Sequence, residues 1–206
     1  MDVGAILLAV ASIAAAYFIG AIPFGVVVPR VLGGRDPRTM GSGRTGGANV
    51  LRAAGARMAI IAGGLDLLKG SVAVLIPLLL SQPTVVTALC VLAVIIGHSR
   101  SIYIGFHGGR GVSPAFGALL VLWPWLAIVI VPIFLVITYV SRYSSLASLT
   151  CAAVICVVLV TVILVNNRPP AELIYAIGGP ALIWIFHWDN IQRLLSGTER
   201  TIDSKA

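Results

Sequence analysis

Glycine, arginine, serine and asparagine gather in one stretch, Gly41-Ser42-Gly43-Arg44-Thr45-Gly46-Gly47-Ala48-Asn49-Val50-Leu51-Arg52, inside a chain that is otherwise mostly hydrocarbon. Glycine lets a backbone bend sharply and approach a ligand. N–H groups converging in such a turn form an anion nest. Ser42, Thr45 and Asn49 add short neutral donors, and Arg44 and Arg52 add planar forks suited to phosphate or carboxylate. The chemistry this predicts is a phosphate cradle. The plainer reading is a loop whose arginines only fix topology. The stretch is not a Walker loop, which ends in Gly-Lys-Ser/Thr and follows a strand.

Two further islands repeat these residue types. The first runs from Gly97-His98-Ser99-Arg100 to Phe106-His107-Gly108-Gly109-Arg110-Gly111, adding histidine for a proton transfer. The second is Ser141-Arg142-Tyr143-Ser144-Ser145. The tail carries His187-Trp188-Asp189-Asn190-Ile191-Gln192-Arg193 and Glu199. Asp66 and Lys69 lie three apart, so they share one helix face. They make either an ion pair that locks helix packing or the inner edge of an active site.

The elements that must position these islands are apolar. The chain is 59% hydrophobic and 10% charged, with mean hydropathy +1.04. Soluble domains carry about 25% charged residues, so this is an integral membrane protein. The net charge of +7 then reads as loop bias, and no soluble scaffold for nucleic-acid binding is visible. Cys90, Cys151 and Cys156 sit in apolar runs with no metal or disulfide spacing. The N-terminal run lacks a basic flank and reads as a first span rather than a cleaved signal. A span needs about 20 apolar residues. On that rule the spans fall at about 3–28, 59–80, 84–97, 112–122, 126–140, 146–165 and 172–188, with Pro23 kinking the first and Trp123-Pro124-Trp125 dividing the fourth from the fifth. The expected fold is one all-α polytopic membrane domain over 1–206 with seven transmembrane helices.

Charge bias orients it. With the N-terminus periplasmic and the C-terminus cytoplasmic, segments 30–57, 98–111 and 141–145 and the tail share one side with twelve Arg and Lys residues, Lys205 included, while Arg168 stands alone on the other side. Cytoplasmic loops carry excess Lys and Arg. The Gly/Arg-rich loops therefore converge at the cytoplasmic face, as parts of one site.

Several of these motifs occur in the order seen in a known family. They are Gly41-Ser42-Gly43 with Asn49-Val50-Leu51-Arg52, Asp66-x-x-Lys69-Gly70, Gly97-His98, Phe106-x-Gly108-Gly109-Arg110-Gly111-Val112, Ser145-Leu146 and His187-x-x-Asn190-Ile191-x-Arg193-Leu194. The chain resembles the PlsY family, the bacterial acyl-phosphate:glycerol-3-phosphate acyltransferases, from about residue 20 to 199. It departs from the family pattern at Arg44, Ala48, Ser99-Arg100-Ser101 and Arg110, where asparagine, threonine, an apolar run and lysine are usual.

The resemblance implies acyl transfer from acyl phosphate to the 1-hydroxyl of glycerol 3-phosphate, giving lysophosphatidate and phosphate in phospholipid synthesis. It implies no cofactor, no metal, no acyl-CoA and no nucleic acid. It implies a place in the bacterial inner membrane, in contact with membrane lipid, and a monomer is sufficient because one chain supplies every motif. It places Ser42, Arg52, His98, Arg110 and Asn190 in catalysis. Gly41, Gly43, Asn49, Lys69, Gly108, Gly109, Gly111, Ser145, His187, Arg193 and Glu199 fall in substrate binding. The proton of the attacking hydroxyl passes either to the donor phosphate or to His98 or His187. A small membrane transporter or scramblase of phosphorylated solutes or lipids is the alternative, because intramembrane charges also line permeation paths.

Overall fold

The computed structural model describes residues 2–203, so Lys205 lies outside it. Every regular element among the described residues is helical. Helix α1 (Val3–Ala21) begins where the Asp2 carboxylate accepts the Ala5 N–H at 2.7 Å, a side-chain cap on a donor with no helical partner. It ends at Ile22-Pro23. Proline has no N–H and holds its predecessor out of the helical region, and Ile22 sits at ψ 117°. The chain restarts as α2 (Phe24–Val31). The single kinked span expected over 3–28 is therefore two helices. At the break two carbonyls take donors from other elements, Ile22 O alongside a local bond from the Phe24 N–H at 3.1 Å. Lys69 Nζ donates to Ile22 O at 2.8 Å, and Ser101 Oγ donates to Ala21 O at 2.5 Å.

Segment 30–57, expected as loop, holds a 3-10 turn (Pro37–Thr39) and helix α3 (Gly47–Ala54). Then come α4 (Ala56–Leu79), which carries Asp66 and Lys69, and α5 (Thr84–Ser99). Helices α6 (Val112–Leu122) and α7 (Pro124–Ser141) are divided at Trp123, as the Trp-Pro-Trp sequence predicts. Helix α8 (Ser144–Val165) and α9 (Glu172–Phe186) follow. The expected last span to 188 stops at Phe186, where His187 turns the chain into α10 (Trp188–Leu195).

Five helical stretches are long and apolar enough to cross a bilayer: α1, α4, α5 with its following turn, α7 and α8. Helices α6 and α9 are apolar but have only 11 and 15 residues. At 1.5 Å per residue they rise about 16 and 22 Å, against a hydrocarbon core of about 30 Å. The structure thus gives five full-length spans and two shorter apolar helices where seven spans were expected.

Helix α5 is central, packing on α1, α4, α6 and α9, with Cys90, Val94 and Ile95 fully buried. Small residues let helices meet closely where hydrophobic drive between them is weak. The α4–α6 crossing shows this. A Cβ on Gly70 would strike the Pro114 carbonyl, and one on Gly117 would strike the Leu67 carbonyl. Ser71 Oγ donates to Gly117 O at 2.9 Å across the same crossing.

Gly117→Val is expected to force α4 and α6 apart at a cost of about 1–3 kcal/mol. Its apparent Tm in detergent should fall. Gly63→Ala, with no atom within 4 Å of the added methyl, should leave Tm unchanged.

Candidate active site

The first island folds around Asn49. Its Nδ2 donates to Pro37 O at 2.7 Å, Arg44 O at 2.9 Å and Met40 O at 3.1 Å. Its Oδ1 accepts the Ser42 N–H at 3.1 Å. Gly41 takes φ 55°, and a Cβ there would collide with Asn49 Oδ1. Asn49, 2% exposed, thus clamps the loop onto the first turn of α3. The expected backbone nest is arranged differently. The N–H groups of Ser42, Gly43 and Arg44 turn to Asn49 Oδ1, Met40 O and Ser42 Oγ. The donors facing outward are side chains, together with the start of α3 at Gly46, Gly47 and Ala48. The first N–H groups of a helix lack internal partners and favour anions.

These groups line one side of a polar cavity of about 210 Å³. Ser42, Arg44 and Arg52 enter it from the first island and α3, and His98 and Arg110 from the second. Ser145 enters from α8, and His187, Asn190, Arg193 and Glu199 from the tail. All four polar segments therefore converge. Gly41, Gly43, Gly108, Gly109, Gly111 and Lys69 are not on its wall. They stand behind it: the glycines shape the turns, and Lys69 packs against His98.

Glu199 joins the tail to α8. Its Oε1 accepts Asn190 Nδ2 at 2.6 Å and Ser145 Oγ at 2.9 Å, and its Oε2 accepts Arg193 Nε at 2.8 Å. Asp189, which the sequence reading did not single out, holds Arg110 bidentately at 2.6 and 2.8 Å and Arg193 at 3.1 Å. Arg110 lowers the Asp189 carboxyl well below the usual carboxylate range, and Arg193 adds to the effect. Arg110 Nη1 also donates to Phe186 O at 2.5 Å, so this fork is largely committed within the protein. The i, i+4 spacing of Asp189 and Arg193 was the available signal.

Arg44 and Arg52 differ from Arg110. Among the described residues neither forms an ion pair. Burial lowers the pKa of both, and neighbouring arginines lower it further, Arg110 for Arg44 and Arg200 for Arg52. The Arg52 Nε is buried with no hydrogen-bond partner. Half-buried guanidiniums repelling one another favour an incoming anion. His187 Nδ1 lies 2.8 Å from Ile183 O. A carbonyl only accepts, so Nδ1 carries the proton and Nε2 keeps its lone pair. Burial, then Arg110, push the His187 pKa down to about 4.

A second, apolar cavity of about 320 Å³ lies among α4 to α9. Val112, Ser113, Phe134 and Ser148 border both cavities. Trp123 and Tyr175 line the apolar one, and Trp123 Nε1 donates to Tyr175 OH at 2.8 Å. Arg168 covers the Trp123 ring at 4.7 Å.

Residues 10–197 match the family described as glycerol-3-phosphate acyltransferase. The chain belongs to that family, and it is an acyltransferase. A glycerol-3-phosphate acyltransferase of Dechloromonas aromatica is 39% identical over 194 residues, covering 94% of this chain and 96% of the relative. One from Nitrobacter winogradskyi is 38% identical over 195 residues, covering 92% and 94%. Among solved structures, the glycerol 3-phosphate form of PlsY, an integral membrane glycerol 3-phosphate acyltransferase, is similar at TM-score 0.84 and 35% identity, covering 94% of each chain. Its lysophosphatidic acid form is similar at TM-score 0.81 and 33% identity, also covering 94% of each chain.

A histidine whose folded pKa is depressed gives stability that is complete above its unfolded value and is lost as pH falls through the folded one. For His187 that window runs from about 6.5 down to about 4. The loss is on the order of 3 kcal/mol. Asp189, a depressed carboxylate, contributes stability that is complete above the unfolded carboxylate value near 4 and begins to be lost only below it. Apparent Tm should therefore fall between pH 6.5 and pH 4, and fall less steeply in His187→Asn, which keeps a donor toward Ile183 O.

Proposed function

We propose that this chain transfers a fatty acyl group from acyl phosphate to the 1-hydroxyl of sn-glycerol 3-phosphate. The observation that carries this is the junction of the two cavities at Val112, Ser113, Phe134 and Ser148. A lipid-like cavity and a cationic one meet there, as an acyl chain bearing a phosphate requires. The glycerol 3-phosphate and lysophosphatidic acid named for the two PlsY structures are the matching acceptor and product.

In this reading Arg44, Arg52, Ser42 and the start of α3 take phosphate oxygens. Ser145, Asn190 and Arg193, aligned by Glu199, orient the acceptor. Arg110 is held by Asp189 and supplies positive charge from the wall. Holding hydroxyl and carbonyl in register removes much of the entropic barrier. The glycerol oxygen forms a bond to the acyl carbon, and the bond from that carbon to the phosphate oxygen breaks. The hydroxyl proton goes to the departing phosphate, giving hydrogen phosphate and the ester. His187 is a poor proton acceptor at neutral pH because its pKa is held near 4. Fixed donors aimed at the developing negative charge supply the main stabilisation.

The same reading places the protein in the bacterial inner membrane as a monomer. Helices α6 and α9 complete seven crossings, and the polar cavity opens to the cytoplasm. The excess of Arg and Lys on the four polar segments supports this orientation.

The test is acyl transfer by detergent-purified protein with palmitoyl phosphate or palmitoyl-CoA, labelled glycerol 3-phosphate and EDTA. Lysophosphatidate from acyl phosphate alone is expected. Arg52→Ala should lower kcat/KM by about 100-fold, on the order of 3 kcal/mol, as for a lost charge-assisted phosphate contact. Product from acyl-CoA alone would overturn the donor assignment. Trp123→Ala should extend the apolar cavity. Its preference should shift toward longer acyl phosphates, by roughly fourfold in kcat/KM per added methylene accommodated.

A further inference from the structure

Behind the cavity wall, Asp66, Lys69 and His98 form a buried cluster, each less than a tenth exposed. Lys69 Nζ lies 2.7 Å from Asp66 Oδ1, 2.8 Å from Ile22 O and 3.0 Å from His98 Nδ1. Beside a carboxylate at this distance the lysine is an ammonium. An ammonium has three N–H groups and no lone pair. It therefore donates to Nδ1, which must be the unprotonated ring nitrogen. A proton on Nδ1 would face the ammonium at 3.0 Å. Asp66 Oδ1 lies 3.5 Å from the same nitrogen, longer than an ordinary N–H···O bond. The lysine is the nearer partner and decides the tautomer.

The other ring nitrogen then carries the proton. His98 lines the polar cavity. Among the described residues its Nε2 has no hydrogen-bond partner. A Cβ at residue 109 would collide with Nε2, so glycine there lets the backbone pack closely on the His98 ring. His187 presents the opposite tautomer on the same cavity, with Nε2 unprotonated.

We infer that Lys69, held by Asp66, is a positioning residue that locks His98 as an Nε2–H donor to a negatively charged oxygen of the reacting acyl phosphate group. His98 gives a hydrogen bond there and takes no proton. This rests on the acyl-transfer reading for its ligand, but the tautomer itself is independent of activity.

The experiment starts with the full chain labelled with ¹⁵N-histidine in detergent micelles. The protein has three histidines, and the His98→Gln spectrum assigns the resonances of His98 by difference. A pyridine-type Nδ1 and a pyrrole-type Nε2 are expected for His98. The reverse, or a doubly protonated ring at neutral pH, overturns the proposal whether or not the protein transfers acyl groups. In Lys69→Met the ammonium is gone, and the Asp66 carboxylate, which only accepts, is left as the nearest polar group to Nδ1. The tautomer should switch, and kcat should fall with KM for glycerol 3-phosphate little changed. An unchanged tautomer would remove Lys69 from the role. Activity supplies the third readout. His98→Gln puts an amide nitrogen near the place of Nε2 and should keep kcat within about tenfold of the parent. His98→Asn and His98→Ala should lose about 100-fold, the cost of one missing donor. Equal loss in Gln and Ala variants of unchanged Tm would mean that His98 acts as a base. If the Gln variant does not fold, the tautomer in the parent protein, assigned from His98→Asn, decides.

Discussion

The ammonium of Lys69 ties together three elements that the chain would otherwise leave apart. A proline ends α1 at Ile22-Pro23, and the Ile22 carbonyl, left with a local bond from the Phe24 N–H at 3.1 Å, has room for a second donor. Lys69 supplies one at 2.8 Å, from the middle of α4. The same nitrogen touches α5 through His98. A lone charge at this depth would be prohibitive, and Asp66 three residues earlier offsets it. The two readings of this pair, structural lock and inner edge of the site, merge. The pair stands behind the cavity wall and reaches it through His98.

Electrostatics at the cavity follow a second rule. Acidic groups are placed against some cations and withheld from others. Asp189 and Glu199 bind Arg110, Arg193, Ser145 and Asn190 into a rigid frame. Arg44 and Arg52 are left half-buried and repelled by other arginines. The frame sets geometry, and on the proposed reading Arg44 and Arg52, which form no ion pair among the described residues, supply the field for phosphate. The same division explains how Arg110 stands where the family usually has lysine. Its wider fork is met by both oxygens of Asp189 and by a backbone carbonyl, which a compact ammonium could not engage together.

The apolar cavity adjoins this frame at Val112, Ser113, Phe134 and Ser148. Helix α6 has only 11 residues, and Trp123 ends it with an indole N–H that needs a partner. Tyr175 provides it, and Arg168 stacks on the ring. That bond and the stacked Arg168 hold the Trp123 ring on the wall of the apolar cavity.

Much was legible in one dimension. Length and hydropathy gave a helical membrane protein, and Trp123-Pro124-Trp125 gave the division of α6 from α7, because proline and span length act locally. The sidedness of the arginines gave the convergence of four polar segments, which the cavity shows. Only the tertiary structure decided which groups face a ligand. Asn49, on the wall of the polar cavity, also clamps the loop, since its four hydrogen-bond partners are brought to it by a fold of the loop that no local pattern encodes. Helix α3 was missed because its eight residues are glycine-bounded and held by packing rather than propensity. Asp189 was missed because its partner Arg110 is 79 residues away in sequence. The types of residue at the site come from the sequence; which nitrogen or oxygen turns inward depends on distances between helices, and those exist only in the folded chain.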